Sequence, residues 1–465
     1  MAQPGKGKVE TGVLRTFDWE HVHVGGDDEG VPMTGVYRTM ASSGFARAGI
    51  LPITALATAA TTYITISYAG ATSYGYIALV GMLFQLIPFA DLGMGAAISS
   101  SVAKRQSGEH AEWLARETIK TTFRALTVSA SVLLASLALV GMFGLWQPLL
   151  GLPSGLDGIA EWAILVCLAP FAISVPFGIG QRILLGEGKN HVTNLISGLG
   201  PLAATATTAL LVSLNVEPLL LAVATPVGVL LVSVVCFFVA FRVAGYRVGL
   251  IFERQSGRAG SPLRIWSTAG PMLVIMITVP LALQSGRLVL AHFGSALDLA
   301  SYSIAVQFYA PAVALITAAG IALWPTFARL GAGAREVWGK AMRALGVAGL
   351  IAASCYVILI GPVALLVSGN EIAVDVPLAL GFGGLILLTA LHQSSAYLLT
   401  SPKQLLFQAV CSTAMVFISI PAAISLTLLL GAAGPVWAMV IAFGFAQVIP
   451  CAVRSRRFLK NNEAQ

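Results

Sequence analysis

Phe89-Ala90-Asp91-Leu92-Gly93-Met94-Gly95 decides how the rest of the chain is read. It lies inside an apolar run from Tyr76 to Ala103, long enough to cross a bilayer as a helix, which takes about 20 residues. The run nevertheless holds a carboxylate. An acid at the centre of a membrane helix costs about 2.5 to 3.5 kcal/mol on insertion scales, so Asp91 is expected to face protein or a water-filled cavity. There it either bonds a neighbouring helix or lines a transport path, as an ion-coupling or gating group. Gly93 and Gly95 admit a close neighbour, and Pro88 removes a backbone hydrogen bond and favours a bend.

Working outward, composition agrees with a membrane chain. Of 465 residues, 57% are hydrophobic and 10% charged, where soluble domains carry about 25% charged. The net charge of +7 would suggest nucleic acid in a soluble protein, but here its placement in loops matters more, and no nucleic acid is expected. The five cysteines sit in apolar runs without paired spacing, as small core residues and not as disulfides or metal ligands. His21, His23, Asp27, Asp28 and Glu29 lie in a polar, glycine-rich tail with no scaffold to present a metal, and no apolar segment precedes Ile50 to act as a signal peptide.

The reading is an all-α membrane protein. Residues 1–43 form a disordered cytoplasmic tail and 44–241 a first six-helix bundle, with apolar runs at 45–69, 76–103, 123–145, 159–184, 192–214 and 218–241. An arginine-rich cytoplasmic linker, 242–264, leads to a second six-helix bundle, 265–453, with runs at 265–291, 301–327, 344–367, 374–400, 405–430 and 434–453, and to a cytoplasmic tail, 454–465. Twelve transmembrane helices are therefore expected. Of the 27 lysines and arginines, all but Arg287 fall in the tails, at the head of the first helix (Arg47), or in alternate connections. Asp157, Glu161, Glu217, Asp298, Glu371 and Asp375 fall on the opposite side. The positive-inside rule makes both termini cytoplasmic, and Trp146, Trp162, Trp266, Trp324 and Trp437 suit an aromatic belt. The segment Glu109 to Arg124 has the spacing of an amphipathic helix on the inner surface, or of a solvated loop helix.

The two sets of six are weakly alike. Tyr76 to Trp113 parallels Tyr302 to Trp338, and Leu184-Leu185-Gly186-Glu187-Gly188-Lys189 parallels Leu398-Leu399-Thr400-Ser401-Pro402-Lys403. Parallel repeats of this kind enclose a central site that opens to alternate sides.

Phe89 to Gly95, followed by Val102-Ala103-Lys104-Arg105, resembles the second helix of the polysaccharide-export family, which flips lipid-linked oligosaccharides. Gly286-Arg287-Leu288-Val289-Leu290-Ala291-His292-Phe293 with Tyr302-Ser303-Ile304-Ala305 is similar to that family's seventh helix and the start of its eighth, and Leu184 to Lys189 suits its fourth cytoplasmic connection. Gly286 departs from the pattern, because family members commonly carry an aspartate before the arginine. The resemblance implies an inner-membrane flippase of bacteria, in a superfamily that also holds multidrug antiporters and peptidoglycan-precursor flippases. It further implies a lipid-linked oligosaccharide substrate, membrane lipids as surroundings, and a polysaccharide polymerase and export proteins as partners.

Such a substrate keeps its isoprenoid tail in lipid while its pyrophosphate head needs a hydrated cationic cavity. Arg287 is the candidate clamp, as the one base inside an otherwise apolar run, since a guanidinium can hold a phosphate through two parallel bonds. The competing reading is an arginine snorkelling from the outer end of its helix. Arg47 either points into the cytoplasmic mouth or anchors the helix. His392 carries a proton, contacts sugar hydroxyls, or is a bonded interior histidine. Gln85, Gln307, Tyr309 and Gln393 are neutral polar groups suited to sugars and equally to neighbouring helices.

A phosphate-binding loop of the Walker type and a His-Glu-x-x-His motif are both missing, so energy is expected from an ion gradient or from substrate supply, with no cofactor and no enzymatic role. Two alternatives remain: an ion-coupled exporter of cationic drugs, which would favour acids in the cavity, and a membrane-embedded sugar polymerase or acyltransferase, which would need catalytic groups that the short outer connections lack.

Overall fold

Long helices account for nearly all of the ordered backbone, because a chain in hydrocarbon must satisfy every N–H and C=O internally. The computed structural model describes the backbone of residues 33–86, 95–105, 108–153, 159–253, 266–321 and 334–463. Asp91 and its flanking motif lie outside these residues, as do the side chains before residue 49, that of Arg47 included. Among the described residues, ten stretches are long and apolar enough to cross a membrane.

The first set of helices is α1 (Met33–Gly81), α2 (Gly95–Lys104), α3 (Glu109–Met142), the short α4 (Trp146–Leu150), α5 (Ile159–Phe177), α6 (Ile179–Gly186), α7 (Asn190–Ser197), α8 (Leu199–Ser213) and α9 (Ala224–Ala244). The second is α10 (Trp266–Phe293), α11 (Ala296–Ile321), α12 (Ala334–Val367), α13 (Val376–Leu398), α14 (Pro402–Leu430), α15 (Gly434–Phe443) and α16 (Ile449–Glu463). Helices α8 and α5 pack on α9 in the first set, and α12 on α13 and α10 on α14 in the second. The main contact between the sets is α1 against α11. Helices α3 and α12, at corresponding places in the two sets, are each 34 residues long, which agrees with the internal repeat.

Two of the ten stretches, Gly49–Gln85 and Lys403–Lys460, contain a break. Gly70 has φ 79° and ψ 161°, which interrupts α1, and Gly431 has φ 54° between α14 and α15. A side chain rarely adopts such positive φ, and at Gly70 the freedom of glycine and not lack of space is what counts, since nothing lies within 4 Å of an added Cβ. Close packing uses glycine differently: a Cβ on Gly180 of α6 would strike the backbone of Phe237 in α9. Without a hydrophobic force between helices in lipid, such close approach is what supplies the van der Waals contact. Large apolar side chains such as Met142 and Leu366, each 78% exposed, cover the outside and suit hydrocarbon as solvent.

Two sequence expectations are corrected. Glu109 to Arg124 is neither a separate surface helix nor a loop helix, but the start of α3. Nothing in it breaks a helix, Ala115, Ile119, Lys120 and Thr122 are buried, and the backbone runs on to Met142. At about 1.5 Å per residue α3 reaches about 51 Å, so it projects past a hydrocarbon core of about 30 Å. The chain is also helical from Met33, within the stretch expected as an unstructured tail, where no proline interrupts it before Pro52.

Candidate functional site

The connections that follow alternate crossings gather on one face, here called the first face. Tyr68 donates to the Val216 carbonyl at 2.7 Å, Asp298 accepts from the Ala432 amide at 3.0 Å, and Gly369 approaches the Tyr63 ring. The opposite face carries the basic residues. There Arg105 bonds the Ala244 carbonyl at 2.7 Å and pairs with Glu187 at 2.9 Å, which ties α2 to α6 and α9. Lys120 pairs with Glu117 and Glu253. Burial pushes the Tyr246 phenol up, against the lowering effect of Arg105, so it stays protonated and can donate to Glu112.

Hydrogen bonds join the two sets of helices toward the first face. Gln307 of α11 accepts from Tyr74 at 2.9 Å, donates to Thr62 at 2.8 Å and reaches the Thr58 carbonyl at 3.4 Å. Gln284 of α10 donates to Gln85 at 2.6 Å, and His292 stands 3.0 Å from the Pro148 carbonyl of α4. At the basic face, the bonds of Arg105 and Lys120 given above lie within the first set. The first face is thus fastened across the two sets of helices.

Arg287 lies one turn beyond Gln284, against this seam. It is 6% exposed, one Nη donates to the Ser303 carbonyl at 3.4 Å, and its Nε has no partner. Among the described residues no carboxylate pairs with it, and the hydroxyl of Tyr302 stands beside the preceding residue, Gly286. Gly286 explains itself here: a Cβ at that position would stand 2.5 Å from the Tyr302 hydroxyl. The aspartate that the resemblance would place before the arginine would require the Tyr302 ring to shift.

The structure brings Arg287, Gln85 and Gln307 to one region, with Tyr74 between Gln307 and the guanidinium. It separates Tyr309 and His392 from them. Tyr309 packs tilted against Phe382, with ring centroids 5.3 Å apart, inside the second set of helices. His392 is buried there as well, edge-on to Phe443 at 5.3 Å and 3.4 Å from Gln447 Nε2, with its Nδ1 unpartnered. Gln447 owes its position to a single π-helical turn, Gly444–Val448, and such turns frequently mark functional sites. Gln393 donates to Thr317. Sequence reasoning missed Tyr74, Thr62 and Gln284 as partners in the seam; the spacing of Gln284 and Arg287, three apart on one helix face, was the available signal.

No protein-family model matches the chain, and no curated protein matches it in sequence. Solved structures do match in fold. An inward-facing multidrug resistance MATE family transporter of the MOP superfamily superposes with a TM-score of 0.66 at 15% identity, over 91% of this chain and 99% of that one. Lipid II flippase MurJ in an inward closed conformation gives 0.64 at 13% identity, over 92% and 90%. An outward-facing MATE transporter gives 0.62 at 14%, over 91% and 96%. The chain therefore has the all-helical fold of MOP-superfamily transporters.

Proposed function

We propose that this protein flips an isoprenoid-pyrophosphate-linked oligosaccharide from the cytoplasmic to the outer leaflet of a bacterial inner membrane, by alternating access, for cell-surface polysaccharide synthesis. The observation that carries this reading is the buried guanidinium without an acidic partner among the described residues. A desolvated cation is costly unless an anion completes it, and a free Nε beside a donating Nη leaves the planar fork ready for a phosphate. In this reading the chain crosses twelve times, the breaks at Gly70 and Gly431 dividing two of the ten stretches. Both termini are cytoplasmic, the seamed face is the outer one, and the described state is open inward. Arg287 takes the pyrophosphate. Gln85 and Gln307 are engaged in the seam and meet the head group once it parts, Arg47 serves the cytoplasmic mouth, Asp91 serves ion coupling or gating, and Tyr309 and His392, enclosed in the second set of helices, reach sugars when those helices rearrange. A polysaccharide polymerase and export proteins receive the product.

The likeness to multidrug transporters favours a second reading, an ion-coupled exporter of the same fold. An unpaired buried cation repels cationic drugs, which weighs against it. Purified protein in liposomes separates the two. Translocation of a defined lipid-pyrophosphate sugar without uptake of a cationic dye is the expected result; dye transport driven by an ion gradient, with no lipid flipping, would replace this reading by the second.

A further inference from the structure

His292 is the last turn's base on α10, and both of its ring nitrogens face carbonyl oxygens. Nδ1 lies 2.8 Å from the Leu288 carbonyl of its own helix, and Nε2 lies 3.0 Å from the Pro148 carbonyl of α4, across the seam. A neutral imidazole has one N–H and one lone pair. Either neutral tautomer therefore sets a lone pair against a carbonyl at hydrogen-bond distance. The imidazolium alone donates to both.

We propose that His292 is a proton-binding site that fastens the first face: taking up a proton turns its second ring nitrogen into a donor and locks α10 to α4, and losing the proton loosens that clasp. The contact is a bridge between the two sets of helices, which distinguishes it from an ordinary surface histidine. The backbones meet beside it, since a Cβ on Gly151 would stand 2.7 Å from the Ala291 carbonyl. His292 is exposed, so its proton exchanges with the solution on that face. The charged groups around it are few. On α4 there is none; Glu161 of α5 is engaged by the Trp146 and Gln147 amides at 3.2 Å. Asp298 of α11 is held by Ser295 and Ala432, and Arg287, five residues back on α10, is buried. Among the described residues none of these groups bonds the ring, whose polar partners are the two carbonyls. Only the protonated ring donates to both carbonyls with the seam closed, so acidification favours closure.

The test needs no substrate and is independent of the function proposed above. Spin labels at Leu149 and Leu297, both exposed and on opposite sides of the seam, are introduced in a background without native cysteines, and their separation is measured in nanodiscs by pulsed electron resonance. Between about pH 8 and about pH 5.5, either side of the ordinary imidazole range, the ratio of short to long separations should rise roughly two- to fivefold, the size of an exposed charged contact. His292→Gln, and His292→Asn as a second neutral replacement, should abolish the rise. A flat wild-type series, or an undiminished rise in either variant, would overturn the proposal.

Discussion

Arg287 and Gly286 are neighbours with opposite demands on space. The arginine is a clamp only if its fork matters, so Arg287→Lys, which keeps the charge as a compact point, should give flipping between that of wild type and of a variant lacking the base. Equal rates for lysine and arginine in liposomes would return Arg287 to the role of an anchor. Gly286→Asp should not create a useful ion pair, because the new side chain meets the Tyr302 hydroxyl. Overpacking of this kind costs about 1 to 3 kcal/mol, so a lowered melting temperature in detergent is expected, and an unchanged one would show that Tyr302 can move aside.

At the scale of elements, helix contacts here depend on backbone approach. Gly180→Ala should separate α6 from α9, with a cost of about 1 to 3 kcal/mol read as loss of thermal stability, while Gly339→Ala, inside α12 where nothing lies within 4 Å of the added carbon, should raise it slightly, by up to about 1 kcal/mol, because alanine is the better helix former. How much of this was legible beforehand follows from the same physics. Apolar runs, the interrupting linker and the internal repeat announce themselves by length and composition. The turn of each helix about its axis does not, because a helix apolar on all sides has no amphipathic face to orient it. Hence Arg287 could be singled out as a lone base, whereas the facing of Tyr309 and His392 into the second set of helices could not. Glu109 to Arg124 misled for a related reason: its mixed charges gave it a surface face, yet no breaker separated it from the apolar residues that follow. Gln307 was recognised as polar at depth, but its bonds to Tyr74 and Thr62 join residues more than 200 positions apart and leave no local trace.

For the whole molecule, orientation rests on the basic residues, and closure of the first face on the bonds that cross it. Cysteines placed at Ser295 and Gly369 should react with an impermeant thiol reagent added to intact cells, and one at Ser256 should not; labelling of Ser256→Cys in sealed cells would invert the topology. The same seam predicts that Gln284→Ala, which removes one bond between the two sets, shifts the population toward outward opening, seen as longer separations between spin labels at the exposed Leu149 and Leu297. The central claim is tested most directly by the rate at which Arg287→Ala flips a lipid-pyrophosphate sugar in liposomes, at matched amounts of reconstituted protein. Loss of a charge-assisted bond of about 1.5 to 3 kcal/mol predicts a rate lowered roughly ten- to a hundredfold at limiting substrate, and a wild-type rate would contradict the account.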